Sequence, residues 1–177
     1  MFPLKSKLKQ ERRGPQLKRG KLGVTETIKH DKGKVKARYM YWDALSIYLN
    51  KEQKEVCLLL EDISSATKLL SVEKLKKLLD LLSRDYFKNW CKLDPDEPWL
   101  LELARIAEHG AMKYGDHNYK LGTNWSRYVD AMCRHILAHW GGHLIDQDSV
   151  FRHLTHAIAN ILILMIYIDE NIGTNDL

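Results

Sequence analysis

The sequence predicts an all-α fold, a helical bundle with an inserted helical hairpin and a flexible basic N-terminal arm. Three observations carry this. Apolar residues recur at helical spacing from Tyr39 to Ile168, with no convincing period-two strand and no internal repeat. The breaks between these stretches hold the prolines and glycines that stop helices, such as Pro95, Pro98, Gly141 and Gly142. Finally, residues 1–38 hold 13 of the 28 Lys and Arg but only Glu11, Glu26 and Asp31 of the 23 acids, so a basic arm precedes a mildly acidic body.

Taken in order, Gly14, Pro15, Gly20 and Gly23 break any helix in the arm, which is expected to be flexible over residues 1–23 and to precede one α-helical domain, 24–177. Tyr39 to Asn50 reads as a short amphipathic helix through Trp42, Leu45 and Leu49. Glu52 to Leu70 follows with Val56, Leu59, Leu60, Ile63 and Leu69, and a partner starts near Val72 with Leu75, Leu78, Leu79 and Leu82 on its apolar face. These two form the expected hairpin, 51–95. Asp94, Pro95 and Pro98 mark a hinge, because proline disfavours helix in the residue before it. A helix from Trp99 is expected to end near Gly110, a polar loop to run from Tyr114 to Asn124, and a helix to span Ser126 to Trp140. After a loop holding Asp146 and Asp148, the last helix is expected from Ser149 to Ile168.

Several classes are excluded at this level. The longest nearly continuous apolar run, Ile158 to Ile168, is well short of the ~20 residues of a membrane-spanning helix. Charge from Lys5 onward and no small-residue cleavage site argue against a secretory signal, so a cytoplasmic location is expected. Cys57, Cys91 and Cys133 have no paired spacing and are expected as reduced thiols. The basic residues 1–38 suggest a polyanion partner, nucleic acid included, and the wide apolar faces suggest a homo-oligomer.

The chemistry-bearing residues concentrate in the last two helices. His135 and His139 lie at i, i+4, and His153, His156 and Asn160 at i, i+3, i+7, each set on one helical face. Imidazoles so spaced suit transition-metal ligation or hydrogen bonding to phosphate and base edges. Magnesium-dependent phosphate chemistry would use oxygen ligands, for which Glu102, Glu108, Asp116, Asp130, Asp146 and Asp148 are candidates, although none shows a Glu-x-x-Glu spacing. No Walker or Rossmann glycine loop occurs, so a nucleotide site would use helix side chains.

The run Gly110-Ala111-Met112-Lys113-Tyr114-Gly115-Asp116-His117-Asn118-Tyr119, then Trp125, Arg134-His135, Asp146 and His153-Leu154-Thr155-His156-Ala157 with Asn160, resembles the phage-type dATP/dGTP diphosphohydrolase family. That family is similar to MazG-like all-α nucleotide pyrophosphohydrolases. The family pattern is roughly GAxKYGxxNW, RH, GEDxD, HLxHAxxN, and the match covers residues 99–168. Asp31-Lys32-Gly33-Lys34 with Arg38-Tyr39 looks like the basic motif before its first helix. The resemblance places Lys34, Arg38, Lys113, Tyr114, Asn118, Tyr119, Arg134, His135 and Asn160 around a purine nucleotide. It assigns Asp146, His153 and His156 to catalysis and Asp146 with His156 to a metal, Mg or Mn. It implies hydrolysis of dATP or dGTP to monophosphate and pyrophosphate by a phage-encoded enzyme in the host cytoplasm.

One departure bears on that activity. Where the family has Gly-Glu-Asp, this chain has Gly142-His143-Leu144, so two carboxylates are replaced while Asp146 remains. The alternative implied is a nucleotide-binding protein without a metal cofactor that sequesters a nucleotide or nucleotide-derived signal. A second alternative is an adaptor for nucleic acid or a host protein, working through the arm and hairpin.

Overall fold

The structure is a computed structural model, and its described residues are 33–47, 49–65, 70–93 and 99–177. They form an all-α bundle: α1 (Trp42–Ser46), α2 (Lys51–Ser64), α3 (Val72–Leu93), α4 (Trp99–Tyr114), α5 (Trp125–Trp140) and α6 (His153–Asp169), with 3₁₀ turns at Ala37–Tyr39 and Asn118–Leu121. Among the described residues there is no strand, only isolated bridges between Asn124 and Thr174 and between Ile145 and Arg152. The expected arm, 1–23, and the hinge at Asp94, Pro95 and Pro98 lie outside the described residues.

The most apolar helix, α6, occupies the centre. Leu154, Ala157, Ile158, Ile161, Leu164 and Tyr167 are buried on it, and it packs against α3, α4 and α5. A helix apolar around most of its circumference has to be covered on several sides. The antiparallel partner α5 covers one side, with Tyr128 edge-on to Tyr167 at 5.3 Å near one end and His135 beside His153 and His156 near the other. The α2–α3 pair joins the same core through Val56, Cys57, Leu60 and Ile63 on α2 and Leu75, Leu78 and Leu82 on α3. Asn50 begins α2 with a reciprocal capping box to Gln53, and the Ser71 hydroxyl accepts from the Lys74 amide at the start of α3. Cys57 and Cys133 are buried thiols, and burial, with the nearby Asp130 charge, pushes the Cys133 thiol up. The side chain of Cys91 lies outside the described residues.

Four boundaries differ from the sequence expectation. The stretch Tyr39–Asn50 holds a 3₁₀ turn and the single-turn α1 rather than one helix, since Met40 is extended and, among the residues there whose side chains are described, only Trp42 is fully buried. So short a helix is held by its anchor, not by its own cooperativity. The first hairpin helix ends at Ser64, six residues before Leu70. Gly110 lies within α4, which continues to Tyr114 and stops at Gly115, where φ is +99°. Glycine interrupts a helix weakly in its interior and strongly when the left-handed conformation is required. The last helix starts at His153 instead of Ser149, because Ser149 is tied into a turn by Asp146 and Val150 has φ +63°.

The N-termini of the two site-bearing helices are held by distant carboxylates. Asp176 accepts from the Ser126 amide at 2.9 Å, the Ser126 hydroxyl at 2.7 Å and the Asn124 side chain at 2.9 Å, closing the start of α5. Gly173 permits this return of the chain, since a Cβ there would lie 2.2 Å from the Thr123 carbonyl oxygen. At α6 the carboxylate is Glu102 of α4, only 4% exposed. It accepts from the Arg152 amide at 2.7 Å, the Arg152 guanidinium at 2.9 Å and the Thr155 hydroxyl at 3.1 Å. Removing one member of a buried, hydrogen-bonded ion pair leaves the other uncompensated, at a cost of about 3–5 kcal/mol. Glu102→Ala is therefore expected to lower unfolding free energy by about that amount in urea titration, whereas Glu108→Ala, at an exposed position of the same helix, should stay within about 0.5 kcal/mol of the wild type.

Candidate functional site

The loop between α5 and α6 is shaped by one carboxylate. Asp146 Oδ1 accepts from the amides of Asp148 at 3.1 Å and Ser149 at 3.0 Å and from the Ser149 hydroxyl at 3.0 Å. The Asp146 backbone closes the same turn, its N–H donating to Phe151 and its carbonyl accepting from Val150, each at 2.8 Å. Aspartate suits this because its short carboxylate reaches amides two and three residues ahead. All of those side-chain bonds fall on Oδ1. Oδ2 accepts no hydrogen bond among the described residues and faces α6, 3.9 Å from His153 Nδ1.

Two helices bring the imidazoles to this carboxylate. His135 of α5 and His153 of α6 place their Nδ1 atoms 2.8 Å apart, so one ring donates to the other. His156, one turn further along α6, stacks on His135 with ring centroids 4.6 Å apart and planes 10° from parallel, and its Nε2 lies 2.7 Å from the Ser149 hydroxyl. Phe151 packs near His156 and His109, with centroids 6.3 Å and 6.1 Å away. The result is a half-buried polar cluster of His135, Asp146, Ser149, His153 and His156. Ser149, His156 and Asp146 do not form a nucleophilic triad. The carboxylate bonds the serine and the turn rather than the imidazole, and Ser149 is buried.

The electrostatics follow from burial. His135 is lowered to about 3, first by desolvation and then by the neighbouring His156 and His153. His156 is lowered to about 4, again chiefly by desolvation, against an upward pull from Asp146. His153 is lowered as well by its burial, with Asp146 opposing and His143 and His139 reinforcing the shift. For Asp146, desolvation acts upward but is outweighed by the Ser149 amide and hydroxyl and by the nearby imidazoles, so its carboxyl lies below the usual range. At neutral pH the pocket thus holds neutral rings around one negative charge.

The remaining residues named from the sequence are distributed as follows. Asn160 shares α6 with the histidines and donates to the His156 carbonyl at 2.7 Å. Arg38 is bound by Asp130, with a side-chain ion pair and an amide bond of 3.0 Å, and Arg134 donates to the Val35 carbonyl at 2.7 Å. These two guanidiniums fasten residues 35–38 to α5. Lys34 is exposed. Lys113 lies one turn beyond His109 on α4, 5.5 Å above the Tyr114 ring. Asn118 is buried in the 3₁₀ turn that follows, and Tyr119 there is half-buried beside His117. The residue that sequence reading did not select is Ser149, which joins Asp146 to His156. Its signal is its position three residues after an aspartate, the spacing of a side-chain-closed turn.

The fold and site define an all-α protein with a cluster of histidines and an aspartate where two antiparallel helices meet. Residues 91–177 match the family model described as dATP/dGTP diphosphohydrolase, N-terminal. The resemblance carried by the motifs is thereby shown over α4–α6 and the end of α3. No curated protein and no solved structure matches the chain. None of the described helices is long and apolar enough to cross a membrane.

The lowered imidazoles fix the acid response. Their folded-state values lie below the ordinary 6.5, so as pH falls the unfolded chain takes up protons first. Their contribution is complete above about pH 7 and is lost below it, at roughly 1.4 kcal/mol per pH unit for each ring until the folded values are reached. The urea midpoint is expected to drop markedly between about pH 7 and pH 5, and His156→Asn should flatten that drop. An equally steep profile in the variant would show that other groups control it.

Proposed function

We propose that the protein binds a purine deoxynucleoside triphosphate at the α5–α6 pocket and hydrolyses it to the monophosphate and pyrophosphate. The observation that carries this reading is the convergence of Asp146, His153 and His156 with His135, because these are residues of the family motifs and they lie on separate elements. Water attacks the α-phosphorus, the bond to the bridging oxygen breaks and pyrophosphate departs. The attacking water must lose a proton. His156 is neutral at neutral pH; Ser149 gives its one hydroxyl proton to Asp146, so His156 donates from Nε2 and its Nδ1 is the acceptor we assign to the water proton. A triphosphate beside the ring raises its basicity, since negative charge favours the imidazolium. Lys113 and Arg134 supply positive charge for the phosphates, and the aromatic rings of Tyr114 and Tyr119 offer faces for the base.

The family resemblance also implies Mg or Mn. A magnesium ion requires several oxygen ligands, whereas the groups facing one another here are two imidazoles and one carboxylate. His143 and Leu144, at the two positions where the family carries carboxylates, are exposed and supply none. The pocket does not fit a magnesium site of that kind. That observation favours a second reading, in which the protein holds the nucleotide without turning it over.

Incubation with dATP, dGTP, dCTP and dTTP, scored for monophosphate and pyrophosphate, separates the two readings. Hydrolysis of the purine nucleotides is expected, falling at least about a hundredfold in His156→Ala and Asp146→Asn. Nucleotide binding that persists in chelator with no product would establish sequestration instead. In that case His143→Glu with Leu144→Asp is expected to create pyrophosphate release if only the oxygen ligands are missing.

A further inference from the structure

The same residues have a further property, which concerns what they can ligate. His135 Nδ1, His153 Nδ1 and an Asp146 carboxylate oxygen all lie within 4.8 Å of one another. Individual separations are 2.8 Å between the imidazole nitrogens and 3.9 Å from His153 to Asp146 Oδ2. Ligands held about 2.0–2.2 Å from one tetrahedral ion stand roughly 3.3–3.6 Å apart, so small side-chain rotations would put all three on a common centre. We propose that His135, His153 and Asp146 form a binding site for a first-row transition-metal ion such as Zn²⁺ or Co²⁺, in preference to Mg²⁺.

Four observations support the assignment. First, the three ligands come from three separate elements, α5, the connecting turn and α6, which Glu102 and the Asp146 turn hold in place. Second, Asp146 is already oriented. Its Oδ1 is engaged by the turn while Oδ2 is directed at the imidazoles, so it offers one oxygen and one negative charge without reorganisation. Third, the two Nδ1 atoms face each other at 2.8 Å across the gap between α5 and α6, so both imidazoles already aim a ring nitrogen at a common point beside Asp146. Fourth, the donor set matches the ion. Imidazole nitrogen favours zinc, cobalt, nickel and iron, while magnesium selects oxygen.

Second-sphere order is also present. His156 stacks on His135, and Ser149 connects His156 to the ligating aspartate. Two imidazoles and one carboxylate leave a coordination position open, which is the arrangement of a site that binds a further ligand rather than a closed structural site. The inference stands on the ligand geometry and holds whether the nucleotide is hydrolysed or retained.

The test uses the full, untagged chain, stripped with chelator, dialysed and free of nucleotide. Calorimetric titration with Zn²⁺ and visible absorption with Co²⁺ should show one ion per chain, unaffected by a large excess of Mg²⁺. His153→Gln and Asp146→Asn should each weaken the affinity well beyond the roughly 10–100-fold that loss of an outer hydrogen bond costs a metal site. The surface control His117→Gln should leave it unchanged. Circular dichroism checks that the variants fold. In case they do not, ¹⁵N imidazole spectra of the wild type provide an independent measure, with two histidines expected to coordinate through Nδ1. Absence of stoichiometric binding, equal competition by Mg²⁺, or wild-type affinity in both ligand variants would overturn the proposal. Nucleotide binding in chelator is measured separately, so failure of the metal site and failure of the nucleotide site give different results.

Discussion

The buried contact between Glu102 and the start of α6 is the constraint on which the pocket depends. Glu102 satisfies the Arg152 amide, pairs with the Arg152 guanidinium and accepts from Thr155, all at the point where α6 begins. An acidic group at a helix N-terminus is favoured by the aligned peptide dipoles and unpaired amides there. Here it also fixes the rotation and depth of α6 relative to α4. His153 immediately follows Arg152 and His156 lies one turn on, so the positions of both imidazoles derive from this contact. A carboxylate that looked from the sequence like a candidate ligand is therefore structural, and the site is built one layer above it.

Burial of neutral imidazoles sets the chemistry. Six of the eight histidines of the chain, His109, His135, His139, His143, His153 and His156, lie on α4, α5, α6 or the connecting turn, and burial, reinforced by neighbouring imidazoles, lowers His135, His153 and His156. If charged, such a cluster would repel itself and would anchor phosphate only by electrostatic attraction. Uncharged, it offers lone pairs to a metal ion or to a proton in transit. Asp146 provides negative charge beside the rings, and it is stabilised in that form by the turn it closes. This division of roles gives one oxygen atom to the loop and leaves the other facing the imidazoles.

The legibility of this structure in its sequence varies with the range of the interaction. The all-α class and the cores of five helices follow from apolar spacing, because Leu75, Leu78 and Leu82, or Ile158, Ile161 and Tyr167, face inward by period alone. The convergence of His153 and His156 is likewise a consequence of i, i+3 spacing. What was not legible depends on contacts across the fold. Glycine marks a helix end only when its backbone must turn left-handed, which distinguishes Gly115 from Gly110. The delayed start of α6 is decided by Asp146 and Ser149 closing a turn, and the roles of Arg38 and Arg134 by Asp130 and the Val35 carbonyl. No local pattern encodes those partners.

The two arginines also bear on how a nucleotide would be held. Arg38 is paired with Asp130, and both side chains are largely shielded from solvent, so recruiting its guanidinium to a phosphate would leave Asp130 buried and uncompensated. Arg134 is less constrained. It makes one bond to a backbone carbonyl and is half-buried at the position before His135. Lys113, exposed and near the end of α4, can reorient at the cost of side-chain entropy and its contact with the Tyr114 ring. Positive charge for a triphosphate would thus come from Arg134 and Lys113, on the two helices that flank α6, while Arg38 maintains the surface on which α5 is fixed.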